Sequence, residues 1–276
     1  MGLLDFGAVA DSGVKGPYTD YDAAITALRS DVTASDGDLY QLDNDMVFNA
    51  FVSEGPGILI PSDLYDRVSG YVDNASGDAY FVAADTEAEI VARGWTIVEN
   101  NNGTVSGGNG SPFRCDSGTS AGGAADTGAI QFTPSSSQSS IIQIVKLDTA
   151  GTAIRPEQSY ACSHYDGSRV LRVVSTAGSV GAFGIYSSLN TLLSAAVGAF
   201  TEASTGWFIM YSDRTTSTNV VSVRRLEDKP EEAVSAEVGD LPSSTFGAVT
   251  YLGAVLASTG NQSILDFYEA HVVATT

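Results

Sequence analysis

The chain has 276 residues, of which 43% are hydrophobic and 17% charged, and its formal net charge is −20. That length holds one large domain, or a moderate one with a small companion, and the apolar share suffices for a core without disulfides. The charge excludes nucleic acid and anionic membrane surfaces as partners, since both require a basic face, and no apolar run approaches the ~20 residues of a membrane span.

Gly, Ser, Thr and Ala stand where charged residues are usual, a bias that fits a β-rich protein with many turns. The acid is uneven. Residues 1–100 hold 18 Asp and Glu against 4 Lys and Arg, and residues 101–276 hold 15 against 9. Solvation accounts for this, or else docking of the N-terminal part on a basic partner or a cation. Cys115 and Cys162 are the only cysteines. They are either one bridge or two buried small apolar residues.

Met1–Tyr18 is weakly patterned and is expected to be an arm, with Leu3, Leu4 and Phe6 docking on a partner or a neighbouring copy. It lacks the basic region of a secretory signal, and Phe6 breaks the myristoylation pattern that Gly2 begins, so synthesis in a cytosol is expected. Asp20–Arg29 is predicted to be a helix capped by Thr19 or Asp20, with Tyr21, Ala24, Ile25 and Leu28 on one stripe. Leu39–Leu42 and Met46–Val52 read as short strands around Asp43-Asn44-Asp45. The acids Asp36, Asp38, Asp43 and Asp45 lack the loop and closing Glu of a calcium site, so they read as turn residues. Ile58–Pro61 is a further short strand, and Asp63-Leu64-Tyr65 starts a helical turn. Asp85–Arg93 is a second helix, with Thr86 and Glu89 spaced as a capping box and Gly94 as its end. It is expected to be a hinge, with the domain boundary near residues 80–94.

From Trp95 onward strand follows strand. Trp95–Val98 and Ala129–Phe132 are strands, with Gly/Ser-rich loops expected over Ser106–Ser111 and Asp116–Thr127. In Ile141–Leu147 the apolar residues occupy both parities, so coverage on both faces is expected. Ser159–His164, Arg169–Val174 and Ala182–Ser187 are further strands. Leu192–Phe200 has helical spacing. Trp207–Tyr211, a polar loop and the alternating Val221–Arg224 make a strand–loop–strand unit. Lys229–Asp240 reads as an acidic loop, and Phe246–Leu252 as a strand. Ile264–Val273 is a long last strand with Leu265, Phe267 and Glu269 on one side, and Ile264, Asp266, Tyr268 and Ala270 on the other. The strand spacing is that of sandwiches, and no repeat of 20–50 residues suggests a solenoid or propeller.

Residues from about 94 to 276 resemble the concanavalin A-like, laminin G-like jelly rolls. The resemblance rests on Thr205-Gly206-Trp207-Phe208-Ile209, the return strand Val221–Leu226, and the Leu252-Gly253 turn ahead of the last strand. In that family a G-W strand, a loop and a return strand precede such a turn. The whole chain resembles tailed-phage virion appendages, in which a small acidic domain with a meander such as DGDLYQL…VFNAF…GPGILIPSDLYD precedes a sandwich. The fold expected is mainly β: a small α+β attachment or oligomerisation domain over 1–93, then an antiparallel β-sandwich over 94–276. The resemblance implies a virion protein assembled in the host cytoplasm, of tail-fibre, receptor-binding or capsid-decorating type. It would bind other virion proteins through residues 1–93 and form a homo-oligomer, a trimer by preference, with a host-surface glycan as a further ligand.

Reactive chemistry finds little footing in the sequence. His164 and His271 both lie in strands, and no G-x-S-x-G elbow accompanies either. The Cys and His spacing is wrong for zinc, and no G-x-G-x-x-G or Walker motif implies a nucleotide, so no metal and no cofactor is expected. Glycan cleavage needs two facing carboxylates, which 33 acids leave open. For sugar binding the candidates are Tyr160, Tyr165 and Asp166, or Tyr211 with Asp213: aromatics flanked by acids, which otherwise serve a core. The reading is therefore a binding protein and not an enzyme. The alternatives are a carbohydrate-binding module of a secreted or surface protein and, third, a glycan depolymerase.

Overall fold

The computed structural model describes residues 13–52, 55–71, 79–116, 118, 126–132, 140–148, 159–165, 170–175, 183–187, 191–195, 206–213, 218–232, 234–239, 249–256 and 264–275. The chain forms two compact units, Met1–Asp66 and Arg67–Thr276. The division falls well before the expected 93/94, because the strands over 68–71 and 80–82 pair with the last strand of the chain.

The first unit contains β1 (Val14–Tyr18), α1 (Tyr21–Ser30), β2 (Leu39–Leu42), β3 (Val47–Phe51), β4 (Ile58–Pro61) and α2 (Ser62–Tyr65). Its sheet runs β1-β2-β3-β4, with β1 parallel to β2 and the other pairs antiparallel. The helix starts where the sequence places it: the Asp20 carboxylate accepts from the Ala23 amide at 2.7 Å. Its apolar stripe, Tyr21, Ala24, Ile25 and Leu28, is buried, and the Tyr21 ring meets Phe48 edge-on at 5.3 Å. The Tyr21 hydroxyl also donates to the Leu59 carbonyl and accepts from the Leu59 amide, closing part of the free edge of β4. Residues 14–18, expected to belong to an arm, instead form β1. Lys15 reaches Asp31 at 2.7 Å and Asp38 at 2.9 Å, and the Tyr18 carbonyl accepts from the Asp43 amide. The neighbouring acids serve turns: Asp36 takes the Val52 amide and Asp45 takes the Gln41 amide group.

The second unit opens with β5 (Val68–Tyr71), β6 (Tyr80–Val82) and α3 (Glu87–Ala92). The capping box is present, with the Thr86 hydroxyl and Glu89 carboxylate each serving the other's backbone amide. There follow β7 (Trp95–Asn100), β8 (Thr104–Gly108), β9 (Ser111–Asp116), β10 (Asp126–Phe132), β11 (Ser140–Asp148), β12 (Ser159–Tyr165), β13 (Val170–Ser175), β14 (Phe183–Ser187), β15 (Thr191–Ala195), β16 (Gly206–Asp213), β17 (Thr218–Arg225), β18 (Val234–Gly239), β19 (Val249–Leu256) and β20 (Ile264–Thr275). One layer runs β15-β14-β13-β12-β19-β10-β7 and the other β18-β17-β16-β11-β20-β9-β8, with β5 and β6 also on β20. Every pair in both is antiparallel. The chain passes between layers repeatedly, and strands of one lie against the other: β9 against β10 and β19, and β18 against β14 and β15. This is an antiparallel jelly-roll sandwich.

Three sequence expectations change. Ser106–Ser111 is not a loop but the β8–β9 hairpin, turning at Asn109-Gly110. Its glycines allow positive φ at 107, 108 and 110, while Val105, Phe113 and Cys115 still alternate inward. Residues 191–195 pair with β14 as a sheet edge and not as a helix turn. The loop expected over 229–240 contains a short 3-10 turn, Pro230–Glu232, and then β18. By contrast, Ile141–Val145 is buried at every residue, as an apolar run of both parities requires. The inter-layer core includes an aromatic chain: Phe81 meets Trp95 at 5.1 Å and Phe113 at 5.3 Å, and Trp95 meets Phe132 at 5.2 Å. Cys115 is fully buried among these residues, and burial pushes its thiol pKa up. The Cys162 side chain lies outside the described residues.

Candidate functional site

β20 organises the second unit. One edge pairs with β11 along nearly its whole length. The other edge is divided among β9 at Ile264–Phe267, β6 at Glu269–His271 and β5 at Val273–Thr275. Between Phe267 and Glu269 the register with β11 shifts: Leu147 faces Phe267, Lys146 faces Glu269, and Tyr268 is the extra residue. Such a bulge breaks the two-residue alternation. Directly opposed residues share a face, so Leu265, Phe267 and Ala270 point to the core while Asp266, Glu269 and His271 point away from the second layer. Strict alternation along the strand places Glu269 beside Leu265 and Phe267. The extra residue at 268 moves it to the opposite face.

Two rows cross that outward face. The first is Trp207, Lys146 and Glu269, opposed in β16, β11 and β20. The Lys146 ammonium lies 5.7 Å from the Trp207 ring centre and 6.0 Å from that of Tyr268. The second row is Asp148, Asp266 and Arg114, opposed in β11, β20 and β9. Arg114 grips Asp266 through two hydrogen bonds of 2.8 and 2.7 Å, and that bond raises the guanidinium's pKa. The Tyr268 phenol is pushed up first by burial and then by the Asp148 and Asp266 charges. Trp207 is buried. Lys146, Asp148, Asp266 and Tyr268 are half-exposed, and the Arg114 side chain is 53% exposed.

A second cluster lies deeper on the same strand. His271 is fully buried. One ring nitrogen contacts the Tyr71 hydroxyl at 2.8 Å and the other contacts Glu269. Tyr80 stacks on its ring with centres 5.9 Å apart. The Arg93 guanidinium lies 4.5 Å from the Tyr80 ring centre and forks onto Asp85 at 2.6 and 2.9 Å. Burial works to raise the Asp85 pKa, but the Arg93 fork and the Val82 amide outweigh it and hold the carboxyl below its ordinary value. These contacts fix β5, β6 and α3 to β20.

The two alternative sets expected from the sequence to bind sugar fall on two strands. Tyr160 and Tyr165 lie on β12 and Tyr211 and Asp213 on β16, in different layers. Asp166 and the side chains of Tyr160, Tyr165 and Asp213 lie outside the described residues. Tyr211 is buried; its ring lies 5.1 Å from the Arg67 guanidinium, which also donates to its hydroxyl. It is packing in character. The outward rows were missed because their members come from four strands spread over the sequence, and because the bulge at Tyr268 leaves no mark in the strand's composition. Among the described residues no group of three or more His, Cys, Asp or Glu side chains could hold a metal ion, and no helix is long and apolar enough to cross a membrane.

No protein-family model matches the chain, and no curated protein matches it. Solved structures with similar architecture include a β-glucanase from Bacillus licheniformis (TM-score 0.47, 9% identity, covering 74% of this chain and 100% of that one). Others are lectin I from Ulex europaeus, in complex with the methyl glycoside of α-L-fucose (0.44, 10%, 71% and 97%), and the alginate lyase from Klebsiella pneumoniae (0.42, 11%, 71% and 94%). Likeness at these identities and TM-scores carries no activity or ligand over to this chain.

Proposed function

We propose that this chain is a recognition protein and not a catalyst, and that its sandwich binds carbohydrate. The observation behind this reading is that Glu269, Asp266 and His271, on the outward face, are each committed to a partner within the fold. Glu269 is held by His271, His271 by Tyr71, and Asp266 by Arg114. A general acid or base must be free to exchange a proton with substrate, whereas rigid polar groups beside an aromatic ring suit binding. The test uses the full chain on a glycan array, together with assays for new reducing ends and for unsaturated products on every glycan bound. Binding without turnover is expected. Turnover of a bound glycan would overturn the reading.

The first unit favours the setting of that function. Residues 1–66 hold 12 Asp and Glu against 2 Lys and Arg, and they form a compact body of their own. Such a charge suits attachment to a basic protein surface. We infer an appendage of a phage virion, homo-oligomeric and by preference trimeric, that joins the particle through the acidic unit. Copurification with particles, at a copy number divisible by a symmetry order, is the expected result.

A further inference from the structure

We propose that the two rows on the outward face of β9, β11, β16 and β20 form a subsite for a neutral glycan chain, with the Tyr268 ring as its platform. This deepens the carbohydrate-recognition reading above and rests on it. The bulge supplies the platform. Tyr268 has no opposed residue on β11, so its position is independent of the sheet's alternation. The Lys146 ammonium, near both the Trp207 and Tyr268 rings, links the half-exposed ring to a buried one.

The second row lies two residues further along the strands, about 7 Å away at the usual rise, within reach of a sugar ring seated on Tyr268. It presents carboxylate acceptors in Asp148 and Asp266 and guanidinium donors in Arg114, the groups that take up vicinal hydroxyls. Asp148 stands directly opposite Asp266, and like charges so placed destabilise a sheet. Arg114, opposite Asp266 on the other flank, offsets that repulsion and completes the polar row.

Charge selects the class of ligand. Lys146 and Arg114 are outnumbered by Glu269, Asp148 and Asp266 across the two rows, so the subsite offers no excess positive charge to a polyanion, and a chain at −20 repels one at longer range. A divalent cation is disfavoured because both Asp266 oxygens already accept from Arg114.

The experiment is native electrophoresis of the full chain through gels containing soluble mixed-linkage β-glucan, galactomannan or dextran, and separately a polyuronate. At least one neutral polymer is expected to retard the wild type. Tyr268→Ala is expected to weaken that retardation about tenfold or more, the scale of losing one aromatic anchor, while Tyr268→Phe stays within about threefold. Circular dichroism checks each variant's fold. Should Tyr268→Ala not fold, Asp148→Asn carries the test, since it removes an acceptor charge at constant volume and is expected to weaken binding by a similar factor. Retardation that neither variant weakens would overturn this subsite and leave the broader reading standing. Retardation by the polyuronate alone would overturn the neutral ligand class. A wild type that binds no glycan on the array either would overturn both.

Discussion

The Tyr21 hydroxyl serves both backbone groups of Leu59 and so does part of the work of a neighbouring strand at the outer edge of β4. Phenylalanine would fill the same space beside Phe48 and leave that amide and carbonyl without the hydroxyl. Tyr21→Phe is therefore expected to cost about 1–3 kcal/mol, the usual penalty for stranding buried polar groups, read as a lower urea midpoint at unchanged slope. An unchanged midpoint would show that water replaces the hydroxyl. Asp85 gives a residue-scale pH prediction. Its carboxyl titrates below the ordinary value in the folded chain, so the ion pair with Arg93 stabilises above the unfolded carboxylate pKa of about 4. That contribution is lost as pH falls through the lower folded value. Asp85→Asn should be less stable than wild type at neutral pH, and the gap should narrow in acid unfolding below about pH 4.

At the scale of elements, α3 is a single short helix whose start is fixed by Thr86 and Glu89. Thr86→Ala should cost about 1 kcal/mol, measured by thermal unfolding. β10 meets its constraint at Gly128, where a Cβ would collide with the carbonyl oxygens of Thr104 and Asp116. The layers approach closely there, and neither carbonyl can swing aside without breaking the β8–β9 hairpin. Gly128→Ala should destabilise by about 1–3 kcal/mol or more through overpacking. These elements also show what a sequence can reveal. The α1 stripe, the Thr86–Glu89 box and the apolar run 141–145 were all readable, because each is a local pattern with one dominant period. The β8–β9 hairpin was hidden because its glycines read as loop, while their role is positive φ and close approach. The bulge at Tyr268 was hidden because one inserted residue changes faces without changing composition. The outward rows depend on that bulge and on pairings between strands as far apart as 114 and 266, which no window of sequence contains.

At the scale of the molecule, the division after Asp66 assigns β5, β6 and α3 to the sandwich. A fragment of residues 67–276 should fold and unfold cooperatively. A fragment of 94–276 lacks Tyr71 and Tyr80, which hold His271, and bares the edge of β20 from Glu269 onward. It should melt at a lower temperature and aggregate through that edge, as light scattering would show; equal melting temperatures for the two fragments would contradict the assignment.

The position of β20 also bears on how the protein comes into being. Among the described residues it is the last strand in chain order, yet it lies inside its sheet, with β18, β17, β16 and β11 on one flank and β9, β8, β6 and β5 on the other. Until residues 264–275 leave the ribosome, no strand pairing among the described residues joins those flanks within their sheet. The closing step must then bring together partners some 150–200 positions apart, a search that slows folding and leaves nascent chains exposed to one another. Polysomes crowded with this protein would be the place where neighbouring copies trade that final strand.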